Sequence, residues 1–342
     1  MADAPAPLAV LGVGAELPPP VDVRDIARAG GARPEDVDGY TGWDRACHAA
    51  PDEHPSTLGA RALAKALTHG NVPADELRLV LYTGSSRDYV PSWSVSNEIM
   101  HANGASNRCL GLDLTAGCVA TLAALDLAQG WLAAHGGGCA AVVAAERWSQ
   151  TIDYTDPGTV NLWAYGDSGG ALVVGAGVRC ASELEFPRLE FLGAEFASAA
   201  QLNGHVLVPY GGTREPLAPE GSNPFARRVS DRPKDVITST YRANYRRAFD
   251  ALRERFPLEP TRMVSNQTSP AIIGMTSTSV GMEGRTIVTG HDTGHLGGTD
   301  MIVGIDTFVR DDAGEYAADD VLLVGASASY GFGMGFVRRV GD

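Results

Sequence analysis

Cys118 is the residue best placed for covalent chemistry. It lies in Asp113-Leu-Thr-Ala-Gly-Cys118-Val-Ala-Thr-Leu, where a strand-like apolar run turns at Gly117 into an apolar helical pattern. A thiol at such a junction sits against the positive end of the helix and its unpaired N–H groups, which favour the thiolate. The same N–H groups are placed to hold the oxyanion of an attacked thioester. An unpaired cysteine is more often a small buried hydrophobe. The strand–turn–helix setting, and not the residue type alone, singles this one out.

The elements around it alternate in type. Strand-like apolar runs fall at 8–11, 79–82, 110–114, 140–145, 171–174, 263–265, 321–324 and 334–337, with helical patterns at 57–69, 119–134 and 240–255. Such alternation predicts an α/β protein with buried sheets. Helix 119–134 is apolar nearly all round, so it belongs between layers. Leu8-Ala-Val-Leu-Gly-Val-Gly-Ala-Glu is echoed by Leu189-Glu-Phe-Leu-Gly-Ala-Glu-Phe, each opening one half of the chain. No low-complexity linker divides the halves, which predicts one shared core. Segment 205–235, polar and rich in Pro and Gly, reads as a long loop of the kind that is often functional.

Several ordered motifs resemble those of the ketoacyl synthase III family. Tyr82-Thr-Gly-Ser-Ser followed by Tyr89-Val-Pro-Ser matches a family strand and the loop after it. Cys118 matches the acyl-accepting cysteine. Tyr165-Gly-Asp-Ser-Gly-Gly-Ala-Leu-Val-Val matches a later strand signature. Val321-Leu-Leu-Val-Gly-Ala-Ser with Tyr330-Gly-Phe-Gly-Met-Gly-Phe matches the closing glycine-rich strand pair. The resemblance implies a thiolase-like, five-layered αβαβα fold of two pseudo-symmetric halves. Residues 1–178 would carry the nucleophile and 179–342 the other catalytic groups. It also implies an acyl thioester of coenzyme A or an acyl carrier protein as donor, no permanently bound cofactor and no metal. A homodimer is implied as well, in which the 85–100 region helps to build the partner's pocket.

The sequence departs from the family at the two donors of the condensing site. Where the family has a histidine, Met263-Val-Ser-Asn266-Gln-Thr-Ser supplies Asn266. Where it has an asparagine, Gly294-His295-Leu-Gly-Gly-Thr-Asp300 supplies His295. The exchange, with Asp300 five residues beyond His295, resembles the ketosynthase III-like acyltransferases of aromatic polyketide pathways. By that resemblance Cys118, His295 and Asp300 form a triad suited to acyl transfer. Asn266 is the candidate donor to the thioester carbonyl, and Ser329, in the glycine-rich closing strands, marks a second oxyanion N–H. For a malonyl group the free carboxylate needs a cation or several hydrogen bonds. Arg87, on the loop nearest Cys118, and Arg147, just after strand 140–145, are the candidates. His205, at the start of the long loop, is a candidate for the pocket mouth.

Gly166-Asp-Ser-Gly-Gly170 and His135 also resemble trypsin-like protease motifs. The α/β pattern between them, and the histidine only about thirty residues upstream of the serine, exclude that fold.

The 342 residues, 44% hydrophobic, suffice for a large core, and the formal charge is −14. So acidic a protein is ill suited to nucleic acid or anionic membrane. Five scattered cysteines without a CxxC pair fit neither a disulfide framework nor a zinc site. The N-terminus lacks a basic n-region, and a cytoplasmic setting is expected. Residues 227–255 are the exception in charge, with nine basic against four acidic groups. They form either a solvated helix face or a docking patch for a phosphopantetheine arm or acidic carrier protein. Three functions follow in order: an O-acyltransferase moving an acyl group, malonyl by resemblance, to a hydroxyl such as a sugar of a glycosylated aromatic polyketide; a decarboxylating C–C condensing enzyme; and a non-catalytic partner subunit.

Overall fold

The protein is described by a computed structural model covering residues 6–89, 92–177, 188–310 and 320–340. Ten strands form one mixed sheet. They are β1 (Leu8–Glu16), β2 (Leu77–Tyr82), β3 (Leu110–Asp113), β4 (Gly138–Glu146), β5 (Ser168–Ala176), β6 (Arg188–Ser198), β7 (Arg262–Ser265), β8 (Thr286–Ile287), β9 (Asp320–Ala326) and β10 (Gly331–Val340). The spatial order is β8-β7-β9-β10-β6-β1-β5-β4-β2-β3. The seam is the antiparallel pairing of Leu8, Ala9 and Val10 in β1 with Phe191, Glu190 and Leu189 in β6. Read outward from that seam, both five-strand sets have the same connectivity.

The principal helices repeat the symmetry. α1 (Pro55–His69), α2 (Val95–Asn103) and α3 (Ala120–Ala134) occupy the same places in the first half as α4 (Lys234–Arg255), α5 (Pro270–Val280) and α6 (Thr299–Val309) in the second. The echoed sequences fall on β1 and β6, the equivalent strands. The expected division at 178/179, Cys180, and Val90 and Pro91 of the Tyr89 motif lie outside the described residues.

Burial shows why the strands read as continuous apolar runs. Successive strand side chains point to opposite faces. In β4, Ala140, Val142 and Ala144 enter the central core with α3 and α6, whereas Ala141, Val143 and Ala145 join an outer core under α1. A third core lies under α4 in the second half. Helix α3 touches both halves, which requires its all-round apolar surface. Its buried Gln129 amide is satisfied by donating to Ala6 O and Leu192 O.

One expectation is corrected in extent: the third helix starts at Lys234 rather than 240. In β6, which none of the strand-like runs covered, a register shift interrupts the pairing with β10 near Gly193. Residues 205–235 are not featureless. Val206–Leu207 pairs with Arg228–Val229, turning the segment into a hairpin-anchored flap.

Candidate active site

Cys118 sits in a single 3₁₀ turn, Gly117–Val119, that leads into α3. Gly117 has φ +58°, and a Cβ there would lie 2.8 Å from Cβ of Ser327. Glycine is thus demanded twice, by the left-handed backbone and by the close approach of the loop after β9. Sγ is part-buried on the wall of a cavity of about 330 Å³.

His295 reaches the thiol from the other half of the chain. Its backbone is clamped in both directions, His295 N–H donating to Ala164 O and Gly166 N–H to His295 O. The Tyr165-Gly-Asp segment, which sequence assigned only to a strand signature, therefore also fixes the histidine. Asp300, in the first turn of α6, accepts at 2.5 Å from His295 Nδ1–H and at 2.7 Å from Gln267 N–H on Oδ2, and at 2.8 Å from Leu296 N–H on Oδ1. With Nδ1 engaged, Nε2 faces Cys118 Sγ at 3.4 Å. Trp148 and Tyr165 wall the imidazole, with ring centroids 5.2 and 4.6 Å away.

Burial of this imidazole, 1% exposed, opposes its charged form, yet the negative charges of Asp300 and Cys118 prevail and raise its pKa well above the usual histidine value. The imidazole thus lies between the Asp300 carboxyl and the Cys118 sulfur, an arrangement that favours its charged form. A second carboxylate lies nearby. Glu146, at the end of β4, is pushed up to about 7 by burial, although Ser85 N–H, Ser86 N–H and the Ser86 hydroxyl all donate to it.

The other sequence candidates fall differently. Asn266 lines the cavity, but its amide donates to Gly297 O at 3.0 Å and to Cys118 O at 3.4 Å, while its Oδ1 accepts from Ala326 N–H. Both amide protons are committed to backbone, so in this structure Asn266 ties three loops together instead of pointing a donor at a thioester. Ser329 is not among the residues lining the cavity, which Ser327 and Ala328 line beside it, and its hydroxyl meets that of Ser327. His205 staples the base of the flap through Ser230 Oγ at 2.7 Å and is not among the residues lining the Cys118 cavity.

Neither proposed arginine is free. Arg87 pairs with Asp113 at 2.5 Å, and Asp113 in turn caps α2 through Val95 and Ser96 N–H. Arg147, 7% exposed, pairs with fully buried Asp167 and donates to Ala50 O, Glu53 O and Ser149 Oγ. Removing one partner of a buried pair strands the other charge. Arg147→Met should therefore cost about 3–5 kcal/mol, read as a shift in the urea unfolding midpoint. A loss under about 1 kcal/mol would contradict a structural role for this pair.

Sequence reasoning missed Tyr165, Trp148, Glu146 and Arg227 as parts of the site. Only the aromatic residues after apolar strands offered a signal. The protease resemblance dissolves: Ser168 is fully buried at the start of β5, and His135 stacks on Trp131 at the surface.

A second cavity of about 640 Å³ adjoins the first and shares Tyr165, Val206, Arg227, Tyr241 and Ile272 with it. A third, about 420 Å³, holds Arg87 and Arg147 and shares Ser85, Trp148, Val208 and Arg227. The thiol thus opens toward two vestibules divided by the flap.

Comparison with known proteins agrees with this architecture. A family profile described as 3-oxoacyl-[acyl-carrier-protein (ACP)] synthase III matches residues 112–186. A beta-ketoacyl-[acyl-carrier-protein] synthase III of Chlamydia pneumoniae is 28% identical over 63% of this chain and 69% of its own length. That of Oleidesulfovibrio alaskensis is 34% identical over 52% of each chain, and that of Streptomyces lividans 33% over 48% of each. The last two alignments span only about half the length of those relatives. Among solved structures, a 3-oxoacyl-(acyl-carrier-protein) synthase III superposes with TM-score 0.81 at 19% identity over 97% of this chain and all of the other. A histidine-to-alanine variant of Xanthomonas campestris OleA superposes with TM-score 0.79 at 17% identity over 97% of this chain and 98% of the other. The fold is thiolase-like.

Proposed function

From a chain related to the ketoacyl synthase III family and sharing its thiolase-like fold, we propose an acyltransferase that loads an acyl group onto Cys118 and passes it to a hydroxyl. The observation that carries this reading is the continuous Asp300–His295–Cys118 chain, in which the imidazole presents Nε2 to Sγ. The exchange of histidine and asparagine resembles the cervimycin malonyltransferase, which esterifies a sugar hydroxyl, and malonyl is the proposed acyl group.

The steps follow from the charges. The Cys118 thiolate attacks the thioester carbonyl of a coenzyme A or carrier-protein donor, and the tetrahedral oxyanion meets the N–H groups at the start of α3. Collapse expels the donor thiolate, which takes the proton from His295 and leaves as a thiol. Acylation has then removed the Cys118 charge, one of the two that kept the imidazole protonated. The neutral imidazole accepts the proton of the incoming hydroxyl as it attacks the acyl–enzyme, then returns that proton to Sγ, and the ester departs. Asp300 holds the tautomer throughout.

The flap and the larger vestibule suit an apolar acceptor, since Tyr40, Leu162, Tyr241 and Ile272 line it. Arg242 and Arg246, around a shallow depression on α4, suit an acidic carrier protein or the phosphates of coenzyme A. Leu110 and Leu112, each 42% exposed on the outermost strand β3, suit a second copy of the chain as cover. Among the described residues, Cys47, Cys109 and Cys118 form no disulfide, which fits a reducing, cytoplasmic setting.

Intact-mass measurement after mixing with malonyl-coenzyme A tests the reading, with an adduct of one malonyl group on Cys118 expected. His295→Gln should slow transfer to a hydroxylated acceptor by about 100-fold or more, and should slow loading less. Equal losses in both half-reactions would contradict the role of acceptor base. The relatives' names, all synthases, favour decarboxylative condensation as a second reading. Release of carbon dioxide with a C–C product would select it.

A further inference from the structure

The sequence left the cation for an acyl carboxylate undecided between Arg87 and Arg147, and the structure commits both to carboxylates of the fold. A different cation lies at the reactive thiol. Arg227, at the flap's return strand, lines the same cavity as Cys118 and His295 and also both adjoining cavities. Its neighbour Arg228 is paired with Glu215, but among the described residues no carboxylate and no hydrogen-bond acceptor is recorded for Arg227. Burial lowers its pKa, opposed by the nearby Tyr165 hydroxyl, so the guanidinium remains charged but poorly hydrated. A second group in this cavity is also unsatisfied: Ser265, 3% exposed at the end of β7, has a hydroxyl without a partner.

Unpaired buried polar groups are rare in folded proteins because each loses its hydration without compensation. One such hydroxyl, that of Ser265, and the half-buried Arg227 guanidinium, without a carboxylate partner among the described residues, share one cavity with a nucleophile and describe a receptor for an anion with further acceptor atoms. We propose that Arg227, assisted by Ser265, receives the free carboxylate of the donor's acyl chain and so selects the half-thioester of a dicarboxylic acid over an uncharged acyl group. The inference rests on the acyl-transfer reading for its substrate, but not for its anion. Arg227 is carried by the flap and not by a strand of the ten-stranded sheet.

A reagent pair isolates the charge. Iodoacetate and iodoacetamide both alkylate a thiolate with loss of iodide, forming one S–C bond, and the first places a carboxylate next to Sγ. Cys118 modification is followed by peptide mass mapping in wild type, Arg227→Gln and Arg227→Lys. The ratio of iodoacetate to iodoacetamide rates should fall about tenfold in Arg227→Gln and be partly restored in Arg227→Lys. The ratio of malonyl to acetyl loading from coenzyme A should fall about 100-fold, the scale of a lost charge-assisted hydrogen-bonded pair. Rates that fall together for charged and uncharged reagents, or ratios that do not move, would overturn the proposal. Absence of any malonyl adduct on the wild type, with the iodoacetate ratio still dependent on Arg227, would instead refute the acyl-transfer reading and leave the anion site standing.

Discussion

Cys118→Ala is expected to lose acyl transfer by at least about 10⁴-fold, the order seen when a covalent nucleophile is removed, and to take up no acyl mass from any thioester. The substitution deletes one sulfur at a part-buried site, so the fold should lose little; the side chain is not part of the central core. It also removes one of the two negative charges that raise the His295 pKa. The imidazolium should therefore lose its proton at lower pH in Cys118→Ala than in wild type, measurable from the imidazole resonances. A variant that still acquired an acyl group would place the nucleophile elsewhere, and Cys47, buried and with its thiol pushed up to about 12 by burial, is no substitute.

The second large effect is expected at Asp300. Asp300→Ala removes the acceptor of three hydrogen bonds, from His295 Nδ1–H, Gln267 N–H and Leu296 N–H, in a place that is 1% exposed. Two backbone donors would be left buried without partners, at about 1–3 kcal/mol each. Acyl transfer should fall by about 10²–10⁴-fold, because the imidazole loses both its orientation and the charge that favours its protonated form. Asp300→Asn, nearly the same in shape, separates the two roles. It should recover part of the stability while transfer stays low.

The pH dependence has a definite sign. A histidine whose pKa is raised on folding contributes its full stabilisation below the unfolded value of about 6.5, and loses it only as pH rises through the folded value. Wild-type stability attributable to this group should thus persist through neutral pH and decline on the alkaline side. In Asp300→Asn that decline should move to lower pH. Urea midpoints between pH 5.5 and 9 would check it, and identical profiles would contradict the ion-pair assignment.

How much of this was legible in the sequence varied by element. Seven of the eight strand-like runs fall within a strand of the sheet, since apolar runs bounded by glycine and polar residues encode burial on both faces, while the run 110–114 overruns the exposed edge strand β3 by Leu114. Strand β6 was visible only as an echo of β1, because a register shift breaks its period. The flap at 205–235 was visible as an anomaly of composition, while its hairpin, two residues on each side, is too short to carry a pattern. Cys118 was legible because its chemistry depends on local structure, the turn and the helix start. His295 and Asp300 were legible only through motif order, being 177 and 182 residues away from the thiol in the chain.

By itself, then, the sequence determined an α/β fold with buried sheets, a reactive-cysteine junction, the exchanged polar pair and the concentration of positive charge after residue 227. Only the tertiary structure decided which charges were available. Arg87 and Arg147 have the right residue type near the right loops, but Asp113 and Asp167 neutralise them, and no local pattern announces those pairings. Asn266 has the right chemistry and a committed amide, whereas Arg227 lay within a stretch read as a solvated face or docking patch and proves to line the thiol's own cavity. The reason is physical: residue type and local spacing fix what a side chain can do, but its remaining valence depends on partners brought together by folding from distant parts of the chain.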